Sequence, residues 1–341
     1  MKILLIKLSS LGDLLHTFPA LSDLQKHYPD AEVDWVVEEA FAEVPSWHPL
    51  VKHVISTRLR RIKKQGWWRL SALKEFFSMI HTLRARKYDV IIDAQGLYKS
   101  AALALLASGR CSGFAKGASR ENVAWLYQQK TFVRRDEHAI SRIRELFAQT
   151  FNYSFDSNLI AYPLNGWVGA QSTTLIFVHA TTWPTKHYPI EYWQILAQLA
   201  VQSGFQVELP EVNAEEQARA LAIKANLNEV KILPRMSLNA IKERFTITRA
   251  VISVDTGLAH IAAALSVPTL TLYGPTNPKQ VGTQGAHQEH LSAHFSCAPC
   301  LQKHCTHPER IYAPTPPCFK TIPPKVVWEQ FQHLLAETRI H

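Results

Sequence analysis

Residues 249–265 read RAVISVDTGLAHIAAAL, and the rest of the chain is read outward from them. Ala250 to Val254 is a short apolar run, suited to a strand buried on both faces. Asp255, Thr256 and Gly257 form a small-residue turn, and an alanine-rich helix follows. A strand that feeds a helix through such a turn leaves unpaired N–H groups converging on one point. The positive end of the helix dipole adds to them, which suits a phosphate or diphosphate. Asp255 stands at the carboxyl end of the strand, where open α/β sheets hold their ligands. His260 lies one turn into the helix, within reach of the same ligand. The competing reading is an ordinary strand–helix corner with Asp255 as an N-cap.

On both sides of this stretch strands alternate with helices, the sequence form of an α/β, doubly wound sheet. In the first half, strands are expected at 2–8, 33–38, 53–56 and 88–93. Helices are expected from Leu14, with Pro19 kinking or shortening the first, then at 71–86 and 137–151. In the second half, strands are expected at 175–179, 205–209, 230–233, 250–254 and 269–273, with helices between them. Residues 152–170 carry Asn, Ser, Pro and Gly without periodicity and read as a linker. The expected organisation is two Rossmann-like domains, 1–160 and 171–322, facing across a cleft. A tail at 323–341 carries Val327, Phe331, Leu334 and Leu335 on one helical face. That helix is expected to pack back on the N-terminal domain.

The 341 residues suit two domains of ordinary size, and 47% hydrophobic content is enough for two cores. No apolar run is long enough to span a bilayer. The N-terminal run is interrupted by Lys7 and Asp13, and no cleavage site follows it, so a cytoplasmic protein is expected. The net charge is +9, and it is uneven. Residues 1–165 hold 23 Lys and Arg against 16 Asp and Glu, or +7, whereas 166–341 hold 14 against 12, or +2. The first half therefore has the stronger reason to meet an anionic partner.

Several stretches carry chemistry. Asp13 follows Gly12 in the first strand–helix turn and reads either as a general base toward a hydroxyl or as a helix cap. The loop SSLGD lacks G-x-G-x-x-G, which disfavours a dinucleotide site. After the first strand of the second half comes His179-Ala-Thr-Thr-Trp-Pro-Thr-Lys-His187. Thr181, Thr182 and Lys186 can meet phosphate oxygens with hydroxyls and a point charge. Arg58, Arg60, Arg61, Lys63 and Lys64 form the densest basic run, with Trp67 and Trp68 beside them. The run reads as a membrane-surface or anionic-substrate contact, or as a solvated helix start. No nucleic-acid motif accompanies it, so nucleic acid is not an expected partner. Cys297, Cys300, Cys305 and Cys318 are spaced C-x2-C-x4-C-x12-C, with His304 and His307 nearby. They read as a structural zinc site, a reversible disulfide or free thiols.

Taken together, the stretches KLSSLGDLLHTFPAL, VDWVVEEAFAEVPSWHP, YDVIIDAQGLYKSAAL, HAISRIRELFA, HATT followed by KH, LPRMSL, SVDTGLAH and YGPTNP span 2 to about 278. They resemble the ADP-heptose:lipopolysaccharide heptosyltransferases of glycosyltransferase family 9, closest to the heptosyltransferase I branch. The resemblance implies a GT-B fold and a Gram-negative bacterial enzyme at the cytoplasmic face of the inner membrane. It implies inverting transfer of L-glycero-D-manno-heptose from ADP-heptose to Kdo of the inner core, on a Kdo-containing lipid A precursor, with no required metal. By the resemblance Asp13 is the general base. Thr181, Thr182 and Lys186 hold the diphosphate, and Lys186 steadies the leaving ADP. Asp255 binds heptose hydroxyls, Thr256 and Gly257 contact phosphate, and His260 supports them. Met236 lies against adenosine and Glu215 contacts the ribose. Arg60, Arg61, Lys63, Lys64 and Arg120 meet the acceptor's anionic groups. Two other readings stay open: the same donor with a heptose or phosphorylated single Kdo as acceptor, and a non-catalytic basic module that binds nucleic acid or membrane.

Overall fold

The computed structural model describes residues 1–59, 61–62, 70–164, 166–309 and 315–338. The chain divides into two compact units, Met1–Leu164 and Asn165–His341.

The first unit runs β1 (Lys2–Ile6), α1 (Leu11–Leu15), α2 (Phe18–His27), β2 (Glu32–Glu38), β3 (Val51–Thr57), α3 (Leu70–Arg84), β4 (Lys87–Asp93), α4 (Tyr98–Leu106), β5 (Ser108–Phe114), β6 (Gln129–Thr131) and α5 (Ala139–Phe151). Its sheet has the order β3-β2-β1-β4-β5-β6, and every pair is parallel. β1 is apolar almost without interruption because both of its faces are covered: Ile3, Leu4, Leu5 and Ile6 are all fully buried. Pro19 does not bend a long helix. The helix ends at Leu15, and Pro19 sits in the first turn of α2, where its missing N–H costs nothing. A buried ion pair ties α2 to α5. Arg144 Nε donates to Asp23 Oδ2 at 2.6 Å and Arg144 NH2 to Asp23 Oδ1 at 3.2 Å.

The second unit runs β7 (Thr174–Val178), α6 (Ile190–Gln202), β8 (Gln206–Leu209), α7 (Ala214–Lys224), β9 (Val230–Ile232), α8 (Leu238–Thr246), β10 (Ala250–Val254), α9 (Gly257–Ala264), β11 (Thr269–Tyr273), β12 (Gln288–Ser292) and α10 (Pro324–Glu337). The order is β9-β8-β7-β10-β11-β12, again with every pair parallel. Counted from the start of each unit, both sheets have the Rossmann order 3-2-1-4-5-6. The chain reverses direction across each sheet between its first and fourth strands. These switch points lie between β1 and β4 and between β7 and β10.

The sequence reading assigns the amphipathic tail to the first unit, but the structure assigns its apolar face to the second. α10 packs on α6 and β11. Val327, Trp328, Phe331, Leu334 and Leu335 join the same core cluster as Leu175, Phe177 and Trp193. Fully burying each such side chain contributes about 1.5–3 kcal/mol, so that face is committed to the second core. Among the described residues no helix is long and apolar enough to cross a membrane.

Candidate active site

Each switch point gathers polar groups from the loops after its two central strands. In the first unit β1 and β4 run side by side, with Ile6 opposite Asp93. Lys7 then donates from Nζ to the Ala94 carbonyl at 2.9 Å. Gln95 Oε1 accepts from the amides of Leu8 (3.0 Å) and Ser9 (3.3 Å), which fixes the start of the SSLGD loop. Asp93 is fully buried and accepts from Tyr127 Oη (2.7 Å), Ser100 Oγ (2.9 Å) and the amides of Gln95 and Gly96. Burial pushes its carboxyl above the usual range, and these bonds partly oppose the shift. Gly96 has φ +67°, and a Cβ there would fall 2.7 Å from Ser119 Cβ, so the turn needs glycine.

Asp13 sits at the third position of α1. Its Oδ2 accepts from the backbone N of Ser10 at 2.9 Å and from Ser10 Oγ at 2.8 Å, which closes a capping box. The cap uses Oδ2, and no described side chain takes Oδ1. Lys7 lies beneath this loop. Burial holds its ammonium below the usual lysine range, while the charges of Asp13 and Asp93 oppose the shift.

In the second unit β7 and β10 are paired up to Val178 and Ser253, so the loops that follow them emerge together. Lys186 Nζ lies 2.7 Å from Asp255 Oδ2, and Thr276 Oγ1 donates to the same oxygen at 2.6 Å. Thr181 Oγ1 reaches the Asp255 carbonyl at 3.4 Å. The Lys186 ammonium also lies 4.9 Å from the centre of the Trp183 ring. Asp255 is 5% exposed. It is not the N-cap of α9. Thr256 takes that position, its side chain makes no capping bond, and Gly257 opens the helix. His260 is buried one turn further along. Thr182 is exposed, and Met236 is half-buried just before the N-cap Ser237 of α8. Glu215 is exposed in the first turn of α7; its neighbour Glu216 turns back to accept from the Val212 amide at 3.0 Å.

The basic residues are less converged. Arg60, Lys63 and Lys64 lie outside the described residues. Arg61 is engaged with Glu75 (2.5 Å) and Glu39 (3.8 Å), and Arg58 with the same two carboxylates at 3.9 and 2.8 Å. Arg120 is exposed.

The zinc reading does not fit the thiols present. Cys297, Cys300, Cys305 and Cys318 form no disulfide, and among the described residues no group of three or more Cys, His, Asp or Glu is arranged to hold a metal ion. Cys318 is buried in the apolar core beside Phe319 while Cys297 is exposed. Burial, aided by the charges of Cys297, Cys300 and Cys305, pushes the Cys318 thiol up to about 12.

Asp93, Gln95, Thr276 and Arg219 are absent from the sequence-based site. Asp93 did have a signal: in YDVIIDAQG it is the last residue of the fourth strand of its unit, and in AVISVDTG Asp255 directly follows the fourth strand of the other.

Two such sheets are the GT-B arrangement of glycosyltransferases. The family model for glycosyltransferase family 9 (heptosyltransferase) matches residues 76–310. Lipopolysaccharide heptosyltransferase 1 of Pseudomonas aeruginosa is 40% identical, over 98% of both chains. Its Escherichia coli K12 counterpart is also 40% identical, over 84% of this chain and 92% of that one. The solved E. coli heptosyltransferase WaaC with ADP-2-deoxy-2-fluoro heptose superposes with a TM-score of 0.83 at 35% identity, covering 98% of this chain and 99% of that one. WaaC with ADP gives 0.81 at 39% identity, covering 86% and 93%. The chain belongs to glycosyltransferase family 9. It is an enzyme closely related to heptosyltransferase I, and the reading as a non-catalytic basic module is set aside.

Proposed function

We propose that the enzyme transfers L-glycero-D-manno-heptose from ADP-heptose to Kdo of the lipopolysaccharide inner core, with inversion. The observation that carries this reading is the meeting of Lys186, Thr181, Thr276 and Asp255 at the second switch point. The cation, hydroxyls and helix start suit the diphosphate, and the carboxylate suits sugar hydroxyls. The relatives named above, one of them solved with ADP and one with an ADP-heptose analogue, support the same donor.

In this reading Asp13 takes the proton of the acceptor hydroxyl through Oδ1 as that oxygen attacks the anomeric carbon. The bond to the diphosphate breaks, and Lys186, Thr181, Thr182 and the amides at Thr256 and Gly257 balance the charge left on ADP. Lys186 and backbone donors supply that balance, so the step is written without a metal. Met236 packs on adenosine, Glu215 meets the ribose and His260 supports the turn. Arg60, Arg61, Lys63, Lys64 and Arg120 receive the carboxylates and phosphates of a Kdo-containing lipid A precursor. Arg61 exchanges Glu75 and Glu39 for them. The protein then works from the cytoplasm, touching the inner membrane peripherally.

The test is ADP release from ADP-heptose with three acceptors: Kdo2-lipid A, Kdo-phosphate-lipid A and an already heptosylated core. Turnover with the first is expected, and Asp13→Asn should lower kcat by about 100-fold or more while ADP affinity holds. Turnover confined to either other acceptor would reassign the acceptor, and an Asp13→Asn enzyme with near-normal kcat would remove Asp13 as the base.

A further inference from the structure

We propose that Arg219 is a positioning residue that clamps the two ends of the loop His179–Tyr188, and so sets Thr181, Thr182 and Lys186 for the donor diphosphate. The role in donor binding rests on the function proposed above; the clamp itself does not.

Arg219 lies on α7. The spacing Glu215…Arg219 on one helix suggests an ordinary surface pair at i, i+4. The structure uses the guanidinium differently. Its Nε donates to the carbonyl of His179 at 3.1 Å, and NH2 donates to the carbonyl of Tyr188. His179 is the first residue after β7, and Tyr188 is where the loop re-enters the core. One planar fork therefore closes the neck of a ten-residue loop, giving it the form of a compact Ω-loop.

The loop is braced inside the neck as well. His187 Nε2 donates to the Thr181 carbonyl at 2.7 Å, joining the two arms directly above the clamp. The buried hydroxyl of Thr185 donates to the Gln302 carbonyl at 2.7 Å. Tyr188 is anchored through Oη to the Ile322 carbonyl at 2.7 Å. Thr181 and Lys186 are the two members of this loop that reach Asp255. Their placement follows from how the neck is held.

Arginine suits this task for a reason beyond charge. Two carbonyls on separate strands of chain need two donors at a fixed angle, and the guanidinium supplies them in one rigid plane. Among the described residues no carboxylate lies within ion-pair distance of it; Glu191 and Glu215 act only from further away. Burial brings its pKa down to about 10, so it stays charged near neutrality. The cation therefore sits without a close ion-pair partner among the described residues at the base of the loop that carries Lys186, with the sign a diphosphate needs. Burial, with Arg219's charge adding to it, also holds His179 and His187 below the usual histidine range, the bond to Thr181 opposing the shift at His187.

The test compares the full chain with its Arg219→Gln and Arg219→Lys variants. Hydrogen exchange of amides 180–188, without substrate, reads the clamp. Binding of ADP and the separate KM values for donor and acceptor read its consequence. In Arg219→Gln the loop should exchange at least about tenfold faster with the rest of the second unit unchanged. ADP dissociation constant and donor KM should rise about tenfold or more, with acceptor KM within about twofold. Arg219→Lys keeps the charge and the stem but cannot fork, so it should fold and restore only part of both effects. Wild-type loop exchange in Arg219→Lys overturns the clamp, even if Arg219→Gln fails to fold. Fast loop exchange with unchanged ADP affinity overturns the link to the donor. A wild-type enzyme that neither binds ADP nor uses ADP-heptose overturns the proposed function instead, while loop exchange still decides the clamp.

Discussion

Replacing Lys186 by alanine removes one half of a mostly buried pair. The Lys186 and Asp255 side chains are 16% and 7% exposed and lie 2.7 Å apart. In the variant the Asp255 carboxylate keeps only the Thr276 hydroxyl, at 2.6 Å. Breaking a fully buried pair from one side costs about 3–5 kcal/mol; the residual exposure of Lys186 lowers this to about 2–4 kcal/mol. For a unit of this size that is a fall of roughly 5–15 °C in melting temperature. Adding Asp255→Asn removes the stranded charge and leaves an amide that still accepts from Thr276. The double variant should therefore melt above Lys186→Ala alone, with a coupling of about 1–3 kcal/mol. Activity should not recover with stability. If Lys186 balances the leaving diphosphate as proposed, its loss should cost about 100- to 1,000-fold in kcat. Calorimetry on the single and double variants, with ADP release measured in parallel, separates the two effects. A double variant that melts no higher than Lys186→Ala, or a Lys186→Ala enzyme within about tenfold of wild-type kcat, would refute the reasoning.

Two further outcomes concern the first unit. Asp23→Ala strands Arg144, which is 2% exposed, and should cost about 3–5 kcal/mol in urea unfolding; a loss under about 1 kcal/mol would mean that the Asp156 carbonyl and the Phe155 ring suffice for the guanidinium. His48 is fully buried against Phe18, its Nδ1 accepts from the Leu50 amide, and burial brings its pKa down to about 3. A histidine depressed in the folded state binds its proton more readily when unfolded, so the stability it holds in full above pH ~6.5 drains away as pH falls toward 3, by about 1.4 kcal/mol per pH unit. His48→Gln should flatten the acid limb of first-unit stability between those pH values, and an unchanged slope would exclude His48 as its source.

The alternation of strands and helices was legible because parallel strands covered on both faces are written as apolar runs. Ala250–Val254 and Thr269–Tyr273 have the same bounds in sequence and structure. β5, β6 and β12 were not legible. β5 reads SGRCSGF: a Cβ at Gly109 would fall 2.5 Å from the Tyr88 carbonyl, and one at Gly113 2.5 Å from the Tyr127 ring. Its two glycines stand where neighbours leave no room for a side chain, and they break the apolar pattern that periodicity reads. β12, QEHLS, is a half-buried edge strand with no apolar alternation to report it. The meeting of Thr181, Lys186 and Asp255 was legible because all three follow the ends of neighbouring central strands. Arg219 was not, since its partners are carbonyls 40 and 31 positions away, and carbonyls carry no residue signature. The tail's period gave its apolar face but not the core that face would join.

That tail gives the two units different histories on the ribosome. Residues 1–164 hold every strand of the first sheet, so that unit can close while the second is still being synthesised. The second cannot follow the same course. Its last strand is complete at Ser292, yet Val327, Phe331 and Leu334 still have to arrive over α6 and β11. Until the ribosome has passed them, the sheet that carries Lys186 and Asp255 has an uncovered apolar flank. The second unit is thus the half whose core stays open longest during synthesis, and the half that a late stop codon would damage first.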